Sequence, residues 1–138
     1  MEIHEGPGQR TFAGLAERWG FEHSAASHPA VTVFRGDSCE VVAEYFPDLR
    51  GGIVTFPSGS QFCWRRACLW GTRWCFKGRG RSASVCLSQE AGPLIQGAKV
   101  TVCGEAAKLP ETPILLLLAW YLRVLEFERE AERMTTVG

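Results

Sequence analysis

Basic side chains cluster in the middle of this chain, and their types and spacing are suited to binding an anion. No acidic residue occurs between Leu49 and Gln89. Like charges on neighbouring strands are tolerated when they are solvated or face an anion. The residues predicted to bind an anion or an anionic lipid are Arg65, Arg66, Arg73, Lys77, Arg79 and Arg81.

Three partners compete for this cluster. Anionic lipid headgroups attract each basic residue near the membrane surface by about 1 kcal/mol. Nucleic acid is disfavoured, because strand side chains alternate and Trp64 and Trp74 then point away from the face that carries Arg65 and Lys77. An intramolecular alternative stays open, in which the basic residues face acidic ones near the C-terminus. These are Glu126, Glu128, Glu130 and Glu132.

Cysteine and histidine offer little catalytic or metal-binding chemistry. The sequence has 6 cysteines but no C-x-x-C, and structural zinc sites usually bring their ligands in close pairs. A cysteine nucleophile would need a histidine partner, and the simplest catalytic pair that the sequence offers is His28 with Cys39 or Cys63. No phosphate-binding, dinucleotide-binding or hydrolase motif occurs. We therefore predict no metal, no cofactor and no enzymatic activity.

The N-terminus indicates the cellular compartment. Met1 is followed by acidic residues and then by Gly6 and Pro7, without the basic and apolar regions of a secretory signal. This start predicts a cytoplasmic protein, which a basic surface could bring to the periphery of a membrane. A reducing compartment would keep the cysteines as thiols. The net charge is +0, so no global field draws the chain to nucleic acid or membrane.

An apolar helix near the C-terminus governs the predicted architecture. Thr112 and Pro113 are suited to begin a helix, which we expect to run to Arg133. From Ile114 to Leu122 it has no polar face, yet a membrane span needs about 20 apolar residues. The helix must then be enclosed by protein. Its predicted buried core consists of Ile114, Leu115, Leu117, Leu118, Trp120 and Tyr121.

Most of the remaining chain has the period of β-strands. Residues 1–30 are predicted to be irregular, with a short helix from Thr11 to Trp19, and residues 31–138 to form a single domain. Six or seven strands with intervening turn signals precede the helix. The predicted class is α+β, with an antiparallel, barrel-like or strongly curved sheet around the apolar C-terminal helix. A flat sheet would leave two or three leucines exposed to water, and each would forfeit about 1.5–3 kcal/mol of stabilisation by burial.

This pattern resembles the tubby-like C-terminal fold shared by tubby, the phospholipid scramblases and the LURP-one proteins. The resemblance rests on the aromatic and basic strands from Gly59 to Lys77, the strand Lys99–Cys103 and the helix Thr112–Leu125, about half of the chain. It implies a β-barrel with a central hydrophobic helix and lipid binding in some members, and it implies no enzyme. The barrel of that family has twelve strands, more than the sequence predicts here.

The sequence thus predicts a non-enzymatic binding or regulatory module. Its partner would be anionic lipid or another acidic partner at the basic hairpin. Two alternatives remain: a structural or interaction protein that dimerises through its C-terminal helix, and a helix-grip protein. In the latter, space beside Trp64 and Trp120 would hold a small apolar ligand.

Overall fold

The computed structural model describes residues 2–5, 11–14, 18–26, 28–67, 73–80, 82–89 and 98–136. Ten antiparallel strands form one sheet in which every strand pairs with its neighbours in sequence. A 3₁₀ helix, Glu105–Lys108, and helix α1, Thr112–Thr136, follow the last strand. The strands are β1 (Glu2–Glu5), β2 (Thr11–Gly14), β3 (Arg18–His23), β4 (Val31–Arg35), β5 (Val41–Asp48), β6 (Gly51–Thr55), β7 (Gln61–Arg66), β8 (Arg73–Gly78), β9 (Ala83–Gln89) and β10 (Ala98–Gly104).

This architecture confirms the predicted α+β class, an antiparallel sheet with one C-terminal helix. Within the described ranges no pairing joins β1 to β10, so the sheet is not closed into a barrel. The meander arises because short turns, several of them at glycines such as Gly36, Gly59 and Gly80 with positive φ, reverse the chain between strands.

The N-terminal third differs from the prediction. The helix expected from Thr11 to Trp19 is wrong, since β2 occupies its first four residues and β3 begins at Arg18, while residues 15–17 lie outside the described residues. Within the segment 1–30, which was predicted to be irregular, the described residues of β1, β2 and β3 extend the same sheet. The helical spacing of Phe12 and Leu15 misled the prediction. A helix of nine residues that contains Gly14 is marginal, whereas residues 11–14 pair with β3 in the sheet.

The inner face of the sheet carries the core. Val31 and Val33 in β4, Val54 in β6, and Phe62 and Phe76 in β7 and β8 are at most 1% exposed. The pairing of β4 with β5 shifts between Val33 and Phe34, so Val42 is an extra residue in β5 and is buried, while Val41 is 37% exposed. The bulge therefore turns Val41 away from the core.

Helix α1 packs on this inner face. Of its predicted core residues, Leu115 and Leu118 are 0% exposed, Leu117 is 5% exposed, and Ile114 and Tyr121 are each 7% exposed. Trp120 is half-buried against the same core. None of the nine apolar residues from Ile114 to Leu122 is exposed. Thr112 begins the helix, and its hydroxyl donates to the carbonyl oxygen of Ala106, which ties the 3₁₀ helix to α1.

The helix contacts strands that lie far apart in the sheet. The ring of Tyr121 stacks on Phe21 of β3 at a centroid distance of 5.1 Å, and its hydroxyl lies 2.7 Å from Nδ1 of His23. Two residues further on, the guanidinium of Arg123 lies 5.6 Å from the ring centroid of Trp74 in β8. No described helix has both the length and the apolarity to cross a lipid bilayer.

The cysteines depart from the prediction of six thiols. Cys75 in β8 and Cys86 in β9 occupy paired positions and form a disulfide. Cys39, Cys63 and Cys103 are free, and Cys68 lies outside the described residues. The prediction of thiols relied on the expected compartment. Register decides the outcome here, since directly opposed cysteines on adjacent strands are close enough to bond.

Candidate functional site

An open cleft lies between the second half of α1 and one end of the sheet. Its volume is about 610 Å³. Three walls line it: the β3–β4 connection at residues 23–26, 28 and 29, the β5–β6 turn from Pro47 to Gly51, and the helical segment from Leu122 to Glu132. We call this space the Trp cleft, because its floor holds two tryptophans. The floor residues are Tyr45, Trp64, Trp74, Leu122 and Leu125.

The aromatic floor is tightly packed. Trp64 and Trp74 stack with centroids 5.4 Å apart and an interplanar angle of 20°, and Trp64 also meets Phe76 at 4.5 Å. The guanidinium groups of Arg66 and Arg123 lie 5.4 Å and 5.6 Å from the ring centroid of Trp74. Cations at aromatic faces are attracted by the ring quadrupole. Arg66, predicted to bind an anion, therefore has an aromatic partner within the chain.

Hydrogen bonds from Arg65 and from the backbone hold the β5–β6 turn in place. Asp48 accepts two bonds from Arg65, at 2.9 Å from Nη2 and 3.2 Å from Nη1, and another at 2.9 Å from the backbone N–H of Arg50. Nη1 of Arg65 also donates to the carbonyl oxygens of Gly52 and Trp64. A Cβ at Gly51 would lie 2.0 Å from the carbonyl oxygen of Trp64, so only glycine allows this approach.

The electrostatics of the turn follow from these contacts. Desolvation opposes ionisation of Asp48, but the bonds from the Arg50 backbone and from Arg65 outweigh it, so the pKa of Asp48 lies below its ordinary value. Burial raises the pKa of the Tyr45 hydroxyl far above its usual value. That hydroxyl donates to the carbonyl oxygen of Gly51 at 2.8 Å. Tyr45 therefore acts as a neutral donor that fixes the turn.

Charged side chains of α1 lie along the edge of the helical wall. Arg123 and Glu126 form an ion pair of 2.6 Å, three residues apart on the helix. Arg129 donates from Nη1 to Nδ1 of His28 at 3.1 Å, which joins the helix to the β3–β4 loop. Because arginine only donates, Nδ1 of His28 must be the unprotonated nitrogen in this contact.

The residues of the predicted basic cluster differ in their contacts. Arg65 is committed to Asp48, not to the glutamates of the helix, and Arg66 lies over Trp74. Arg79 donates to Oε1 of Gln61 at 3.0 Å. Arg73 and Lys77 are exposed on the outer face of β8. Arg81 lies outside the described residues. Among the four glutamates of the helix, the side chain of Glu130 is also not described.

The catalytic and metal-binding possibilities gain no support from the geometry. His28 precedes β4 and Cys39 follows it, so they lie at opposite ends of that strand. Cys63 alternates with Phe62 and Trp64 and thus lies on the outer face, away from the cleft. Within the described ranges, no group of three or more His, Cys, Asp or Glu side chains is placed to hold a metal ion.

The sequence anticipated only part of the lining of the cleft. Of the two tryptophans predicted to border a ligand space, Trp64 lines the cleft and Trp120 does not, while Trp74, which was not predicted there, does. The prediction missed the β5–β6 turn and Leu125. The signal in the turn was Asp48 followed by two glycines at positions 51 and 52, a composition typical of a tight reversal.

Comparison of the chain with protein families, curated proteins and solved structures gives no match in any of the three. Its function must therefore be argued from its own geometry.

Proposed function

We propose that this chain is a non-enzymatic binding module whose ligand, a small molecule with an apolar body, occupies the Trp cleft. The observation that carries the proposal is an open space of about 610 Å³ floored by aromatic and aliphatic side chains. Small-molecule sites have volumes of about 300–1,000 Å³, with an apolar lining and a few polar groups that fix orientation. This proposal adopts the helix-grip alternative drawn from the sequence, with Trp74 replacing Trp120.

A strongly curved, barrel-like sheet around α1 is part of the same proposal. Strands β3 and β8 are five spacings apart, about 24 Å on a flat sheet, whereas a helix with its side chains is only about 10–12 Å wide. Tyr121 and Arg123 contact those two strands from nearly opposite sides of the helix. Curvature of this kind leaves a gap where the helix emerges from the sheet, and the Trp cleft occupies that gap.

The uncharged fluorophore N-phenyl-1-naphthylamine tests the proposal. Its emission rises in an apolar site, so titration should give saturable binding in the micromolar range. Leu125→Gln, in the floor, should weaken binding about tenfold, since burial of a leucine is worth about 1.5–3 kcal/mol. Val124→Gln is the matched control, because Val124 is also half-buried but does not line the cleft. Equal affinities for both variants would contradict the proposal.

Association with anionic lipid is the second candidate function. Arg73 and Lys77 favour it, because both are exposed on the outer face of β8. Binding to anionic vesicles that falls as salt rises, and that is lost in the double variant Arg73→Gln, Lys77→Gln, would support it. The tubby-like resemblance and a cytoplasmic or membrane-peripheral location remain predictions alongside this candidate.

Dimerisation through α1 has weaker support. The apolar positions that motivated it are covered within a single chain, with Leu115 and Leu118 0% exposed. Light scattering at micromolar concentration separates the two cases: a monomer would remove this alternative.

A further inference from the structure

We infer that the ligand of the Trp cleft is an amphipathic anion, whose apolar body lies on the floor and whose anionic group is bound by Arg50. This inference rests on the proposed function and specifies its ligand class. It is carried by the placement of charged side chains around the cleft, and by which of them already have partners.

Two of the four described acidic side chains that line the cleft are paired with arginines. Asp48 is bound bidentately by Arg65, and Glu126 is paired with Arg123 at 2.6 Å. Neither carboxylate is therefore available to a cationic ligand without breaking a charge-assisted contact.

Arg50 is in the opposite situation. It is exposed at the rim, and within the described part of the chain no hydrogen bond or ion pair involves its guanidinium, although its backbone N–H donates to Asp48. A guanidinium presents a planar set of donors that matches a carboxylate, sulfonate or phosphate. Arg50 is thus a cation at the mouth of an apolar space.

The helical wall adds a second cation at a central position. Leu122, Leu125 and Arg129 follow a spacing of three to four residues and lie on one stripe that faces the cleft. Glu128 and Glu132 also line the cleft, Glu128 about 100° and Glu132 about 60° from Arg129 around the helix axis. Arg129 thus lines the cleft from the helix while Arg50 lines it from the turn, so a guanidinium stands on each of these two walls.

The turn that carries Arg50 also presents an apolar side chain. Leu49 is 106% exposed although Asp48, Arg65 and Tyr45 hold the turn on both sides of it. The turn thus presents the exposed Leu49 next to Arg50, whose guanidinium has no ion-pair partner among the described residues. This pair is suited to a ligand that has an apolar part and an anionic part. Contact with such a ligand would cover Leu49 while Arg50 binds the charge.

Two fluorophores with the same aromatic body test the inference. N-phenyl-1-naphthylamine is uncharged, and 8-anilinonaphthalene-1-sulfonate adds one sulfonate. Arg50→Gln should weaken binding of the sulfonate about tenfold, the usual range for losing a bond to a charged group. It should leave binding of the neutral compound within about twofold, and Arg50→Lys should retain part of the affinity for the sulfonate. Lys99→Gln, which removes an exposed cation outside the cleft, is the control and should change neither affinity.

Competition with aliphatic amphiphiles gives an independent readout. Decanoate should displace the neutral fluorophore at lower concentration than decyltrimethylammonium, and Arg50→Gln should remove that preference. Tighter binding of the cation, or an unchanged affinity for the sulfonate in Arg50→Gln, would overturn the inference while leaving the proposed function intact. Failure of both fluorophores to bind the wild-type chain would overturn the proposed function, and the inference with it.

Discussion

Tyr121 and Arg123, two residues apart on α1, contact strands that are five positions apart in the sheet. Tyr121 stacks on Phe21 at 5.1 Å and Arg123 lies 5.6 Å from the ring centroid of Trp74. Successive helical residues are separated by about 100°, so these two side chains leave the helix on nearly opposite sides. The helix is thereby held between distant strands, and the cleft opens just beyond this point.

Burial of α1 predicts that charge is tolerated at only some of its apolar positions. Leu117→Asp should unfold the domain, because an unpaired carboxylate in the core costs about 4 kcal/mol or more. Phe127→Asp makes a similar change on the same helix at a position that is 36% exposed, against 5% for Leu117. It should cost about 1 kcal/mol or less. Thermal denaturation followed by circular dichroism compares the two, and a cooperative melt in Leu117→Asp would contradict enclosure of the helix.

The contact between α1 and β3 can be separated into two parts. Tyr121→Phe removes only the hydroxyl contact to His23 and should lower the free energy of unfolding by about 1 kcal/mol. Tyr121→Leu also removes the stacking on Phe21 and should cost about 2–3 kcal/mol. Urea denaturation measures both. Equal losses for the two variants would mean that the ring contact contributes nothing.

The depressed pKa of Asp48 predicts a pH-dependent contribution to stability. Because the folded-state pKa is lower than the unfolded value of about 3.9, the contribution is present above that pH and is lost as pH falls through the folded-state pKa. Asp48→Asn should therefore be less stable than wild type at pH 7, by about 1 kcal/mol. The difference should shrink below about pH 4. Urea titrations at pH 7, 5 and 3 test this, and a constant difference would argue against the ion pair with Arg65.

The disulfide between β8 and β9 predicts a redox-dependent melting temperature. Closing a loop of 11 residues stabilises by up to about 3 kcal/mol in the chain-entropy account. Dithiothreitol should lower the melting temperature of wild type and have little effect on Cys75→Ser. Cys63→Ser, which removes a free thiol, should retain the full response to the reductant. An identical melting temperature with and without reductant in wild type would show that the bond does not form.

The sequence was most informative where the periodicity was strong. The nine apolar residues from Ile114 indicated a covered helix, because no rotation hides five consecutive large side chains on one stripe, and none of the nine is exposed. The strands before Gly20 were missed because their apolar spacing also fits a helix, and only pairing with β4 distinguishes the two.

Long-range contacts account for the remaining features that the sequence did not predict. The Trp cleft joins Leu49, Trp74 and Leu125, residues that no local pattern connects. Likewise, Arg65 was expected to face an external anion or the helix, but register places it beside Asp48. A disulfide between Cys75 and Cys86 could not be predicted without the register that opposes them.

The indole resonances of the five tryptophans offer the most direct test of binding in the Trp cleft. A proton–nitrogen correlation spectrum resolves each indole N–H, and substitution of each tryptophan by phenylalanine assigns it. Saturation with N-phenyl-1-naphthylamine should shift the signals of Trp64 and Trp74 and leave those of Trp19 and Trp120 in place, since only the first pair lines the cleft. Shifts confined to Trp19 or Trp120, or no shifts at all, would contradict it.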